Sequence, residues 1–305
     1  MRRALSNGIA MALHGWIILD KPVGLGSTQA VSAVKRALRE AGEPKTRVGH
    51  GGTLDPLASG VLPIAIGEAT KLAGRMLDAT KAYDFTIRFG EETDTLDLEG
   101  KVIATSEVRP SHADVEAVLP RFTGSILQAP PAFSALKVDG KRAYDLARAG
   151  EEVTLEEREV IIQSLSVVDA GHEEATFSAT VSKGTYIRSL ARDIAHALGT
   201  VGHVTLLRRT RAGPFTLEKA ISLDFLNDAA KARALTRTVL PLEAGLDDIP
   251  GLPVTPEQAQ LLRHGQQLVG IPAMPGLKLA TSGGTPVALV EVSDDGVKVV
   301  RGFNL

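Results

Sequence analysis

The stretch KAYDFTIRFG, residues 81 to 90, alternates in character, with Tyr83, Phe85, Ile87 and Phe89 on one side and Lys81, Asp84, Thr86 and Arg88 largely on the other. A period of two is a strand with one face buried, and that face must be covered by a second layer. Other strand-like runs are Trp16 to Leu19, Val61 to Ile66 interrupted by Pro63, Val160 to Val168, Ala175 to Val181 and His203 to Arg211. Helical periodicity appears after Ser27, read as an N-cap, with Val31, Val34 and Leu38 on one face and Gly42 as the stop. It recurs over Thr185 to Leu198, ended by Gly199, and more briefly over Val115 to Leu119 behind Ser111 and Asp114. Residues 91 to 100, EETDTLDLEG, read as an acidic loop. Long antiparallel-looking pairs mixed with helices predict an α+β fold rather than a doubly wound sheet.

At 305 residues the chain exceeds a single typical domain, and the character changes near residue 240. From there PLEAGLDDIPGLPVTPEQ reads as a linker, followed by one short helix and three β runs, Leu277 to Ala280, Pro286 to Val292 and Val297 to Gly302. The expected organisation is an N-terminal extension over 1–14, a main domain over 15–245 with an excursion at 124–152, and a small β-rich unit over 250–305. Met11 is a candidate natural start. The N-terminal apolar residues are broken by Asn7, Gly8 and His14 and run into Asp20 and Lys21, unlike an export signal. No eighteen apolar residues stand in succession, so no membrane span is expected and the cytoplasm is the expected location. Cysteine is absent, which removes disulfides, thiolate metal sites and a cysteine nucleophile. The seven histidines show no close ligand spacing, and no metal is expected.

GHGGTLDPLASGVLPI, residues 49 to 64, holds a lone carboxylate, Asp55, directly before Pro56. Asp before Pro is a common turn former. Here, however, Gly49, Gly51, Gly52 and Gly60 permit close backbone approach while Pro56 stiffens the segment, so the loop can present one acid in a fixed orientation. That suits nucleophilic or acid–base chemistry. Asp78 and Asp84 lie in other elements, so the paired acids of a glycoside hydrolase are not evident. In VSKGTYIRSLARDIAHAL, Arg188 falls in the first turn of a helix, where a cation opposes the helix dipole. It is either a solvated surface group or the partner of an ionised Asp. The formal net charge of −2 hides a cluster of Lys183, Arg188, Arg192, Arg208, Arg209 and Arg211 against the single acid Asp193. With Lys35, Arg36, Lys45, Arg47 and the GKRAYDLAR stretch, it is either a solvated face or a surface that neutralises phosphates.

The order WIILDKPVG, GHGGTLDPLASGVLPIAIGEATKL, KAYDF, VSKGTYIRSLARDIA and LRRTRAGPF resembles the bacterial tRNA pseudouridine-55 synthase family over about residues 15 to 215. The resemblance implies isomerisation of one uridine in the T loop of tRNA, with no metal or organic cofactor. It implies a pseudouridine synthase core with a mixed, mainly antiparallel sheet and a C-terminal RNA-binding domain of PUA type. Asp55 then matches the catalytic acid, Tyr83 the active-site tyrosine that stacks under the uracil, and Arg188 the arginine that holds Asp55 aimed. His50 occupies the place of the flipped base or stacks beside it, and Leu207 is a candidate apolar wall. Substrate contact is also expected at Gly52, Lys21, Lys183 and Arg208. The excursion at 124–152 becomes a thumb-like grip on the T stem-loop, and the enzyme is expected to work as a monomer.

Two positions depart from the family's pattern. Gly51 stands where a Thr or similar small polar residue is usual, and Gly26 replaces a Ser or Thr after DKP. Three other functions fit some of the same residues: a tRNA-folding module that needs no chemistry, a guide-RNA-dependent synthase, and a hydrolase acting on glycosides. The first would not need Asp55, the second would not modify a bare T-arm hairpin, and the third requires a second acid.

Overall fold

A computed structural model describes residues 12–305 apart from 135, 139, 152 and 154 and the side chains of 137 and 142. In chain order the elements begin with β1 (Gly15–Lys21), α1 (Ser27–Glu40), β2 (Val48–His50), β3 (Ser59–Ile66), α2 (Ala73–Asp78), β4 (Lys81–Phe89), β5 (Glu91–Thr93) and β6 (Val102–Thr105). There follow α3 (His112–Val118), β7 (Gly124–Gln128), β8 (Lys137–Val138), β9 (Lys141–Arg142), α4 (Ala143–Arg148), β10 (Arg158–Ala170) and β11 (Glu174–Val181). The main unit closes with α5 (Ile187–Ala197), β12 (Gly202–Ala212), β13 (Phe215–Thr216) and α6 (Leu223–Lys231). The C-terminal unit contains β14 (Gly251–Pro253), α7 (Pro256–Arg263), β15 (Gly276–Ser282), β16 (Thr285–Ser293) and β17 (Gly296–Gly302). The expected start at Met11 and most of the expected extension lie outside the described residues.

The central sheet runs β1-β3-β12-β4-β11-β10-β7, with β2 beside β3 and β13 beside β12. Every pairing in it is antiparallel except β3 with β12, which is the mixed, mainly antiparallel α+β sheet expected. One face carries two apolar clusters. In the first, α5 and α3 cover Phe85, Ile87, Phe177 and Ile162. In the second, α1 and α6 cover Ile17, Leu19, Leu62 and Ile64. Tyr83 and Leu207 pack against both clusters, so the seam between them runs along β4 and β12. The rings of Phe85 and Phe177 stack at 5.3 Å, worth about 1 kcal/mol beyond simple burial.

The pattern errs at Lys81. Its position has the parity of Tyr83, and it is buried, with Nζ donating to the carbonyls of Leu77 and Ala79. The acidic 91–100 segment is not simply loop either, because its first three residues form β5 against β6. The chain leaves the sheet after Gln128 and rejoins it at Arg158, so the excursion spans 129–157; both flanking strands belong to the sheet.

The opposite face of β1 and β3 packs Trp16, Ile18 and Val61 against Leu279, Leu289 and Phe303 of the C-terminal unit. That unit has a sheet in the order β14-β15-β16-β17 and a core of its own around Ala259, Leu262, Val287 and Val290. The expected helix and three β runs are present, and β14 is added to them.

Candidate active site

The loop between β2 and β3 is fastened from three directions, and each of the three holds at least one backbone group within three residues of Asp55. Ser27 Oγ accepts the Leu54 N–H at 2.8 Å and donates to the Leu54 carbonyl at 2.9 Å. Ser27 is therefore not the cap of α1; Gly26 takes that place, its N–H donating to Gln29 Oε1 at 2.8 Å. Glycine is a tolerated N-cap, which accounts for the departure at that position.

Arg209, 1% exposed, donates to the carbonyls of Gly52, Thr53 and Val61. The sequence places it in a cluster that is either a solvated face or a phosphate-neutralising surface; strand parity instead puts it on the inward face with Leu207, opposite Tyr83 on β4. Lys21, expected to touch substrate, is fully buried and donates to the carbonyls of Pro22, Leu25 and Pro56. Gly52 has φ +125, a conformation that excludes a side chain at little cost only for glycine. At Gly51 a Cβ would stand 2.7 Å from Met76 Cβ, so the packing of α2 explains why no larger residue is found there.

Arg188 is almost fully buried and reaches four groups. Its Nη2 lies 3.0 Å from Asp55 Oδ2 and donates to the Phe133 carbonyl at 3.0 Å. Its Nη1 donates to the Thr95 carbonyl at 2.8 Å and lies 3.5 Å from Asp97 Oδ2. The Arg188–Asp55 contact thus joins the two motifs, while the Asp55 side chain keeps 42% of its surface open. A carboxylate held on one oxygen by a planar guanidinium and open on its other side is oriented yet available.

Asp97 is a site residue that sequence reasoning missed. Thr95 Oγ1 donates to its Oδ1 at 2.6 Å, as does the Glu99 N–H at 3.0 Å. It steadies the far side of Arg188, so Asp97→Asn should lower the single-turnover rate by about 10²-fold, the effect of a small misplacement of a reacting group. Filter binding of RNA by the same variant should stay within twofold of wild type; a proportional loss of binding would refute this role.

A cleft of about 20 Å³ lies over this pair, lined by Asp55, Leu57, Asp97, Arg188, Val204 and Leu207. Leu207 is thus in the wall. Tyr83 is not among the lining residues; it is half-buried at the seam, diagonally across from Leu207 through the register Tyr83–Arg209 and Phe85–Leu207. His50 ends β2, half-buried, and its Nδ1 has no hydrogen-bond partner among the described residues. Burial, and then the charge of Arg209, lower the pKa of His50, which favours the neutral ring. Arg208 makes a fork to both oxygens of Asp20, and Lys183 pairs with Asp78 at 3.0 Å in the open. With Arg192 paired to Asp193, the six-cation cluster is not one bare face. Exposed cations do remain at Lys35, Arg36, Lys45 and Arg47.

Burial lowers the pKa of Lys21 to about 8, opposed by the Asp55 charge and assisted by Arg209. Lys81 is likewise lowered by burial to about 8, with Arg209 assisting. Between about 8 and 10.5 the unfolded chain keeps a proton on each that the folded chain has released. Stability therefore rises with pH through that window, and the penalty for a buried ammonium is felt in full below it. Urea unfolding of wild type should gain on Lys81→Met across this range; parallel curves would contradict the assignment.

Among the described residues no three His, Asp or Glu side chains gather as a metal site, and no helix is long and apolar enough to cross a membrane.

The chain matches the family model described as TruB family pseudouridylate synthase, N-terminal domain, over residues 35–187. A second model, the tRNA pseudouridylate synthase B C-terminal domain, matches over 188–247. The boundary between the two falls at the start of α5, although β12 from the second stretch lies inside the sheet of the first. A protein of Novosphingobium aromaticivorans named tRNA pseudouridine synthase B is 63% identical over 96% of this chain and 98% of its own. One of the same name from Zymomonas mobilis is 61% identical over 96% and 97%. Among solved structures, an H/ACA RNP bound to a substrate RNA containing 2′-deoxyuridine is similar with a TM-score of 0.71 and 25% identity. That match covers 95% of this chain and 85% of the other.

Proposed function

The chain belongs to the TruB family of pseudouridylate synthases, and on that premise we propose that it isomerises the uridine at position 55 in the T loop of tRNA, with Asp55 as the catalytic acid. That it is a tRNA uridine isomerase follows from the family and the names of its full-length relatives. The observation that carries the residue assignment is the Arg188–Asp55 contact at the mouth of an apolar-walled cleft.

A uridine stacked in a loop must leave its neighbours before a carboxylate reaches it, at a cost of a few kcal/mol. The neutral ring of His50, on the strand that precedes the Asp55 loop, suits stacking against the bases left behind. The cleft is too small for a pyrimidine, so its walls give way as the base enters. Asp55 then initiates cleavage of the N-glycosidic bond, the uracil turns in place, and its C5 joins C1′ of the sugar. The proton on C5 must leave to restore aromatic character, and Tyr83 is the group proposed to receive it. Leu57, Val204 and Leu207 keep water from the detached base, because hydrolysis at that stage would leave an abasic site.

The enzyme is proposed to act as a monomer, with Arg188, Asp97 and Asp55 meeting within one fold. The 129–157 excursion is proposed to grip the T stem, and residues 250–305 to add RNA contact as a PUA-like unit. The cytoplasm, where tRNA matures, is the proposed place of action. Purified protein incubated with a bare T-arm hairpin, without guide RNA or other proteins, should form pseudouridine at one uridine. Dependence on an added guide RNA would overturn the stand-alone reading.

A further inference from the structure

Arg188 sits in the first turn of α5, where its charge opposes the helix dipole, so something other than helix stability must fix the start of that helix. The N-cap residue, Tyr186, contributes no side-chain capping bond. Its backbone N–H is one of the four that a helix start leaves open. That N–H is taken by Gln128 Oε1 at 2.8 Å, from a side chain only 1% exposed at the last position of β7.

Directly across from Gln128 in the β7–β10 register is Arg158, the first residue of β10. Its guanidinium lies 5.0 Å above the Tyr186 ring and donates through Nη2 to the Gly184 carbonyl. Two cross-strand neighbours thus hold the Gly184–Tyr186 turn, one by its backbone N–H and the other by a carbonyl and a ring. Arg188 follows two residues later. Both Gln128 Nε2 and Arg158 Nε are buried without a partner among the described residues. A buried polar group left open is destabilising, so its presence at both positions calls for an explanation other than stability.

We propose that Gln128 and Arg158 are positioning residues for the isomerisation: as a clasp on the turn before α5 they set the aim of Arg188 and, through it, of Asp55. The clasp stands where the 129–157 excursion leaves and rejoins the sheet, and the excursion's Phe133 carbonyl accepts from Arg188 Nη2. The grip on RNA and the aim of the acid therefore share one root. The proposal rests on the reading of Asp55 as the catalytic acid.

The test is single-turnover pseudouridine formation on a T-arm hairpin, with hairpin affinity and thermal unfolding measured on the same samples. Wild type is run first; if it forms no pseudouridine, the functional reading fails and not the clasp. Gln128→Leu removes the acceptor and should slow the chemical step about tenfold, while affinity stays within twofold. Gln128→Glu restores an acceptor for the Tyr186 N–H and should recover most of that loss. Arg158→Lys, at a more open position, keeps the charge but not the planar fork, and should slow the step by about threefold to tenfold with affinity again held. It also carries the test should Gln128→Leu not fold. Unchanged rates in folded variants would overturn the proposal, as would losses confined to affinity or accounted for by the unfolded fraction.

Discussion

Asp55→Asn is expected to abolish pseudouridine formation, with a rate loss of about 10⁴-fold or more, while the protein folds normally and binds the T-arm hairpin within twofold of wild type. Asn has nearly the shape of Asp, and its amide oxygen can stand beside Arg188 Nη2 at the place of Asp55 Oδ2. The loop also does not depend on the carboxylate for its shape, because Ser27, Arg209 and Lys21 fasten it through backbone carbonyls and the Leu54 N–H. What the substitution removes is the negative oxygen that has to act on the nucleotide. Loss of binding in parallel with activity would instead mark Asp55 as a structural acid in an RNA-folding module.

Arg188→Ala is expected to cost both activity and stability. Its guanidinium answers Asp55, Asp97 and the carbonyls of Thr95 and Phe133. Asp55 is open enough for water to replace the lost partner, but Asp97 is 7% exposed and would be left charged in a poor solvent. We expect a loss of about 3 kcal/mol in unfolding free energy, mostly from that stranded acid, and a rate loss of about 10³-fold. Arg188→Lys keeps a charge but reaches fewer of the four acceptors, so it should restore part of the stability and remain about 10²-fold slow. Combining Arg188→Ala with Asp97→Asn should recover stability but not rate. If the double variant is no more stable than Arg188→Ala, Asp97 is not the strained partner.

The sheet and its helices were legible because period-two and helical patterns report burial directly. The pairing of Asp55 with Arg188 came from the family resemblance: a cation at a helix start asks for an acidic partner, but the residues alone left a solvated arginine equally open and did not say which acid it meets. Asp97 was not legible, since it lies 42 positions beyond Asp55 in a segment whose acidity reads as solvated. Only the folding of that segment onto α5 turns one of its acids inward. Arg209 carried a signal that charge counting overrode, because alternation along LRRTR puts it on the same face as Leu207. Lys21 ends an apolar strand and was read as facing substrate. The three carbonyls that bind it come from loops whose course no local pattern specifies. Ser27 looked like a helix cap, and its hydroxyl instead serves the backbone of Leu54, a long-range use indistinguishable in sequence from a local one.

The most direct measurement is a nucleotide-resolution map of pseudouridine in total tRNA lacking the T-loop modification, after incubation with wild type and with Asp55→Asn. Conversion of a single T-loop uridine by wild type, and of none by the variant, is the predicted result. Conversion at other uridines would contradict the assignment of the T loop as the target, and equal conversion by the two proteins would contradict the claim that this carboxylate, held by Arg188, performs the isomerisation.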